Sequence, residues 1–232
     1  SGFYQSLFNF HFMSQLEIEL KQLKSELVNM WSLVHSQLVK SNIAMVNFDK
    51  DLAREVISRE KRVNGSELKI DRDCENIFAL LTPVAVDLRF VLAVLKINSN
   101  LERIGDIAEG VAKHILSAER PFNKELLKET DTINMYDEAI NILEDTLSSF
   151  ENEDTALARS IFQKDEFLDK INVRAAEATI RHLNAHPEDL HQALHNLSII
   201  RKLERVGDQS KNIAEETIFY VEAKVLKHNA KE

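Results

Sequence analysis

The chain has 232 residues and a formal net charge of -9. It is long enough to bury a core as one domain or two, and too acidic to present the basic stripe that nucleic acid requires. Five glycines and three prolines supply too few turns for a fold of many short strands, so long helices are expected. One cysteine, Cys74, cannot close an internal disulfide, which fits a reducing, cytoplasmic setting.

Residues 1–12 hold four phenylalanines but no basic n-region and no small-residue cleavage site. They read as a tail or leader rather than a signal peptide. From Leu16, apolar residues recur at Leu20, Leu23, Leu27, Met30, Val34 and Leu38, the three- and four-residue steps of a bundle-facing helix. Asn47 and Asp49 are suited to cap a second helix that runs to Leu81. Thr82 with Pro83 predicts an N-cap and first helical position for a third helix lasting until Pro121 and spanning roughly 50 Å. A fourth helix is expected from Asn123, a fifth from near Asn152 and a sixth from Pro187, with short connections. The most apolar stretch, Phe78 to Leu95, is interrupted by Asp87 and Arg89, so no transmembrane segment is expected.

The sequence also repeats. LERIGD at 101–106 returns as LERVGD at 203–208, and the same offset aligns Asp87 with Asp189, Leu88 with Leu190, Ile97 with Ile199 and Ala112 with Ala214. A duplicated three-helix unit follows: an all-α chain of two antiparallel, spectrin-like up-down bundles over residues 13–121 and 122–232.

Each copy of the motif contains an ExxxD pair, Glu102 with Asp106 and Glu204 with Asp208. Four-residue spacing stacks both carboxylates on one helix face, where they can share a cation. In a chain with 38 acids, about six such pairs arise by chance, so recurrence in register carries the argument rather than spacing. Gly105 and Gly207 sit inside the motif, and a mid-helix glycine costs about 1 kcal/mol relative to alanine, which points to a close neighbour. Facing helices offer further acids: Glu67 and Asp71, with Glu60 a step back, and Asp165 with Asp169. Carboxylates gathered this way repel unless a cation compensates. With no Cys or His at ligand spacing, a hard cation suits them better than a closed structural zinc site does. Arg103 and Arg205 lie about a quarter turn away and read as partners for acids.

LERIGD and LERVGD, with PVAVDLR at 83–89, KIN at 96–98 and NIAEETIFYV at 212–221, resemble the PhoU family from about Leu16 to Val225. The resemblance implies multinuclear iron or zinc clusters on ExxxD and DxxxD motifs and homodimerisation. It also implies negative regulation of high-affinity phosphate uptake and of phosphate-starvation signalling. The implied partners are the phosphate ABC transporter ATPase and a phosphate-sensing histidine kinase, so any membrane association would run through them. Carried over by position, the implied metal residues are Glu67, Asp71, Glu102 and Asp106 in the first bundle and Asp165, Asp169, Glu204 and Asp208 in the second. The halves depart from each other at Arg89 against His191, and no ExxxD answers Glu67 and Asp71 in the fifth helix.

Two other classes compete. A ferritin-like di-iron carboxylate enzyme needs a Glu-xx-His from each of two helices, and the only match is Glu188 with His191. A metal-free helical adaptor would use its acids for solubility alone. His191 and His195, helped by His182 or His186, have zinc-ligand spacing but equally suit surface positions. No Gly-rich phosphate loop or activated nucleophile is evident, so no catalysis and no catalytic residue is expected.

Overall fold

A computed structural model describes residues 13–226, so the reading of residues 1–12 lies outside the described residues. Seven α-helices follow in order: α1 (Gln15–Asn47), α2 (Lys50–Leu81), α3 (Ala85–Ser117), α4 (Lys124–Glu129), α5 (Thr132–Asn152), α6 (Thr155–Ala185) and α7 (Leu190–Glu222). A 3-10 turn at Pro187–Asp189 precedes α7. No strand occurs among the described residues.

α1 starts in a capping box, with Ser14 accepting from the Glu17 amide and the Glu17 carboxylate accepting from the Ser14 amide, which satisfies two donors that a helix start leaves open. Its predicted apolar face is the buried one, including Leu23, Leu27, Met30, Val34 and Leu38. α2 and α6 start alike: Asp49 caps the Leu52 amide and Asp154 the Leu157 amide, both at 2.9 Å. From these caps the buried positions run in parallel, Ala53, Val56, Glu60 and Val63 in α2 and Ala158, Ile161, Asp165 and Leu168 in α6.

α1, α2 and α3 pack against one another, as do α5, α6 and α7, and α3 packs along α7 as closely as helices pack within either bundle. α1 also meets α5, where Trp31 donates its indole N–H to the Leu143 carbonyl and Ser41 shares a hydrogen bond with the Tyr136 hydroxyl. Phe90, Phe150 and Tyr220 pack with centroids 5.4 to 6.3 Å apart, tying α3, α5 and α7 by aromatic packing. The two three-helix bundles thus lie side by side.

Three boundaries differ from expectation. Thr82 closes α2 in a left-handed conformation (φ 47°), and α3 begins at Ala85. Pro83 therefore follows a C-cap, a place where proline is also common because it cannot continue the helix. α3 ends at Ser117 rather than Pro121. The predicted fourth helix is split at Thr130 and Asp131. Asn196 of α7 enters the split, donating to Thr130 Oγ1 and accepting from Thr132 Oγ1, both at 2.9 Å. The buried Asn196 amide thus finds both a donor and an acceptor in the break, as a buried polar group requires.

Candidate carboxylate sites

The glycine of each repeated motif faces an acid of the neighbouring helix. A Cβ placed on Gly105 would lie 3.2 Å from Val63 Cγ1, 3.4 Å from Glu60 Oε2 and 3.5 Å from Gln37 Oε1. A Cβ on Gly207 would collide with Asp165 Oδ1 and come within 2.8 Å of Leu168 Cδ1. At Gly207 the missing side chain is what lets α6 bring a carboxylate against α7, while at Gly105 the same approach of α2 to α3 is looser and an added methyl would ask the neighbours to yield only slightly. The corresponding acids are Glu60 and Asp165, in the same register from their Asp caps.

In the first bundle Glu60 is buried, at 7% exposure. Its Oε2 accepts from Gln37 Nε2 at 3.2 Å, while Glu60 Oε1 and Gln37 Oε1 are buried with no hydrogen-bond partner. Burial pushes the Glu60 carboxyl up to about 7, and the charges of Asp106, Glu109 and Glu102 add to that against the Gln37 bond. Glu67 is raised by burial and by Asp71 and Asp106. Glu102 is raised by burial, then by Asp106 and Glu67, with Arg103 opposing. Asp71 accepts from Asn98 Nδ2 at 2.9 Å. Glu67, Asp71, Glu102 and Asp106 thus share one electrostatic neighbourhood, to which the structure adds Glu60 and Glu109. Arg103 acts as the expected counter-charge.

In the second bundle Asp165, Asp169, Glu204 and Asp208 also come together: burial raises Glu204, and Asp208, Asp169 and Asp165 reinforce it. This centre contains a cation. Lys211 Nζ donates to Asp165 Oδ2 at 2.5 Å and to Asp208 Oδ1 at 3.1 Å. Burial works against the ammonium, but the bonds to Asp165 and Asp208 outweigh it and keep Lys211 protonated above the ordinary lysine range.

Sequence reasoning missed Lys211, Glu109 and Gln37 as members of these centres. The repeat offset was the available signal for two of them, since it sets Glu109 opposite Lys211. Gln37 showed only as a polar residue beside the apolar stripe.

The histidines go elsewhere. His195 pairs with His114, their Nδ1 atoms 3.1 Å apart, and not with His191. His182 is buried between Asp189 at 2.9 Å and Glu129 at 3.0 Å, so a surface reading fails for it. Asp189 also accepts from Arg120, Asn123 and Gln192. Glu188 lies in the turn before α7, remote along the chain from Glu204.

The donors can be tested against a metal. In the first bundle every donor is oxygen, and Glu60 Oε1 and Gln37 Oε1 are buried acceptors without a donor, as Asp165 Oδ1 is in the second, which suits a hard cation. Glu60, Glu67, Glu102 and Asp106 are the residues that would hold it, with Asp71 and Glu109 beside them. Among the described residues no three ionisable side chains already stand in ligand geometry, so binding would draw the carboxylates together. The second bundle fits less well, because an ammonium already bridges two of its four acids.

Fold and sites define a class: all-helical proteins duplicated in sequence, with an acidic centre beside a motif glycine in each half. The PhoU domain model matches twice, over residues 27–115 and 132–217, and the chain belongs to the PhoU family. It is 30% identical over 220 residues to the phosphate-specific transport system accessory protein PhoU of Escherichia coli (strain K12), covering 95% of this chain and 90% of that protein. It is 32% identical over 212 residues to the homologue from Aquifex aeolicus (strain VF5), covering 90% of this chain and 94% of that protein. The crystal structure of PhoU from Pseudomonas aeruginosa superposes with a TM-score of 0.85 at 29% identity, covering 90% of this chain and all of that one. That of the phosphate transport system regulatory protein PhoU from Streptococcus pneumoniae gives 0.82 at 28%, covering 91% and 99%.

Proposed function

We propose that the chain is a metal-binding negative regulator of high-affinity phosphate uptake and phosphate-starvation signalling. It works without catalysis, through contacts with the phosphate transporter ATPase and a sensor histidine kinase. The observation that carries the transport assignment is its alignment, over nearly its whole length, with proteins named as phosphate-transport accessory proteins. Among the described residues no helix is long and apolar enough to cross a membrane; action from the cytoplasmic side through membrane-bound partners, as a homodimer, is part of this proposal. The two bundles, residues 13–121 and 122–232, are proposed as its units. Absence of catalysis is supported by the one thiol: burial pushes Cys74 up to about 12, and Asp71, Asp73 and Glu75 add to it, which leaves no reactive thiolate.

The metal reading rests on Glu60, a buried carboxylate with one bare oxygen among further acids. When bound, iron or zinc would supply the positive charge these side chains lack. The chain's part is to hold the oxygens at the α2–α3 contact that Gly105 permits. A metal-free helical adaptor is the second reading, favoured by the absence of preformed ligand geometry among the described residues.

Deletion of the gene in its host tests regulation: constitutive high-affinity phosphate uptake, restored to repression by the wild-type gene, is expected. Unchanged repression would refute it. Elemental analysis of native protein tests the metal, with iron or zinc expected in wild type and lost from a Glu102→Ala, Asp106→Ala, Glu204→Ala, Asp208→Ala variant.

A further inference from the structure

The two centres occupy equivalent places in the repeat and differ by one charge reversal. At the position one turn beyond Asp106, the first bundle has Glu109, whose carboxylate turns to Lys113 at 2.6 Å and still adds to the charge felt by Glu60. The equivalent of Glu109 in the second bundle is Lys211, and its ammonium bonds Asp165, 3% exposed, and Asp208. An ammonium held this way supplies, from within the chain, the positive charge that a group of buried carboxylates requires. Glu60 has no such partner: its hydrogen-bond donor is a neutral amide, and its Oε1 is buried and bare.

We infer that the two repeats are unequal ion sites: the first binds a divalent cation, while Lys211 acts in the second as a tethered cation that excludes one. This rests on the carboxylate-site reading proposed above. A divalent ion entering the second centre must break both Lys211 bonds and place two positive charges beside a third. Each centre holds a buried carboxylate oxygen without a hydrogen-bond partner, Glu60 Oε1 in the first and Asp165 Oδ1 in the second, so the ammonium makes the difference: an ion entering the first displaces no cation.

The test is titration calorimetry of Mn2+ into the full chain, beside thermal unfolding with and without Mn2+. Wild type, Glu60→Gln, Asp165→Asn and Lys211→Met are compared, with Lys211→Gln as the substitute if Lys211→Met does not fold. Glu60→Gln is expected to weaken Mn2+ binding at least tenfold, while Asp165→Asn leaves wild-type binding unchanged within a factor of two. Lys211→Met is expected to add a second set of binding events and to lower the melting temperature without metal, with Mn2+ restoring it. Equal loss of Mn2+ from Glu60→Gln and Asp165→Asn, with no gain from Lys211→Met, would overturn the inequality and leave metal binding standing. No Mn2+ binding by any variant would overturn both.

Discussion

Glu60 is a charged side chain placed where charge is costly, with burial and three nearby acids holding its carboxyl near pH 7. Between the ordinary value of 4.5 and about 7, the folded chain keeps a proton that the unfolded chain has released, so this residue's contribution to stability falls as pH rises through that window. Glu60→Gln should therefore be the more stable metal-free protein at pH 8, by on the order of 3 kcal/mol, and match wild type near pH 4.5. Urea unfolding at the two pH values checks this; equal stability at pH 8 would contradict it. The motif glycines give a second contrast. At Gly105 an added methyl meets neighbours that need yield only a few tenths of an ångström, and the helix gains about 1 kcal/mol from alanine, so Gly105→Ala should be close to neutral. At Gly207 the methyl would strike Asp165, which Lys211 pins, and Gly207→Ala should cost about 1–3 kcal/mol through overpacking. Comparable denaturation midpoints for the two variants would refute the asymmetry.

Where helices end, buried polar groups decide how the elements join. Asp189, 3% exposed, receives Arg120 from the link after α3, Asn123 from the cap of α4, His182 from α6 and Gln192 from α7. Burial pushes its carboxyl up, but these donors and the charges of Arg120 and His182 hold it below the usual range. The pair's support from Asp189 is thus present above about 3.8 and lost as pH falls through the folded value. His182 behaves oppositely: burial lowers it, yet bonds to Asp189 and Glu129 leave it raised, so its support is complete below about 6.5 and lost as pH rises through the folded value. Asp189→Asn should cost about 3 kcal/mol at pH 6 by leaving Arg120 without its counter-charge and His182 with Glu129 alone, measured by thermal or urea unfolding. Asn196→Leu should cost about 1 kcal/mol by removing one bond from each of Thr130 and Thr132 at the α4–α5 break, the two hydroxyls keeping their bond to each other. If that variant were as stable as wild type, the break would owe nothing to Asn196.

At the scale of the molecule, the repeated bundles join through α3 and α7, the two helices that carry the ExxxD motifs, and the motif glycines face α2 and α6. A cation bound only by the folded chain stabilises it by mass action, about 2.7 kcal/mol at a hundredfold excess over Kd, which for a chain of this size raises Tm by roughly 5–10 °C. A melting temperature insensitive to Mn2+, iron and zinc would favour the metal-free adaptor. Composition, helical periodicity and the LERIGD/LERVGD offset were enough to fix the helical class, the duplication and the face bearing Glu102, Asp106, Glu204 and Asp208. Those features are local, written in spacing along one helix. Helix ends at Ser117 and Thr130 were not legible there, because the Asp189 cluster and Asn196 reach across from helices distant in sequence, and at Thr82 a Thr-Pro pair serves a C-cap as readily as an N-cap. Whether an acid is neutralised likewise depends on which cation the packing delivers. Only the tertiary structure brings Glu60 to Gly105 with an oxygen bare, and only it sets Lys211 between Asp165 and Asp208, because charge compensation acts through space between helices and leaves no periodic trace along either one.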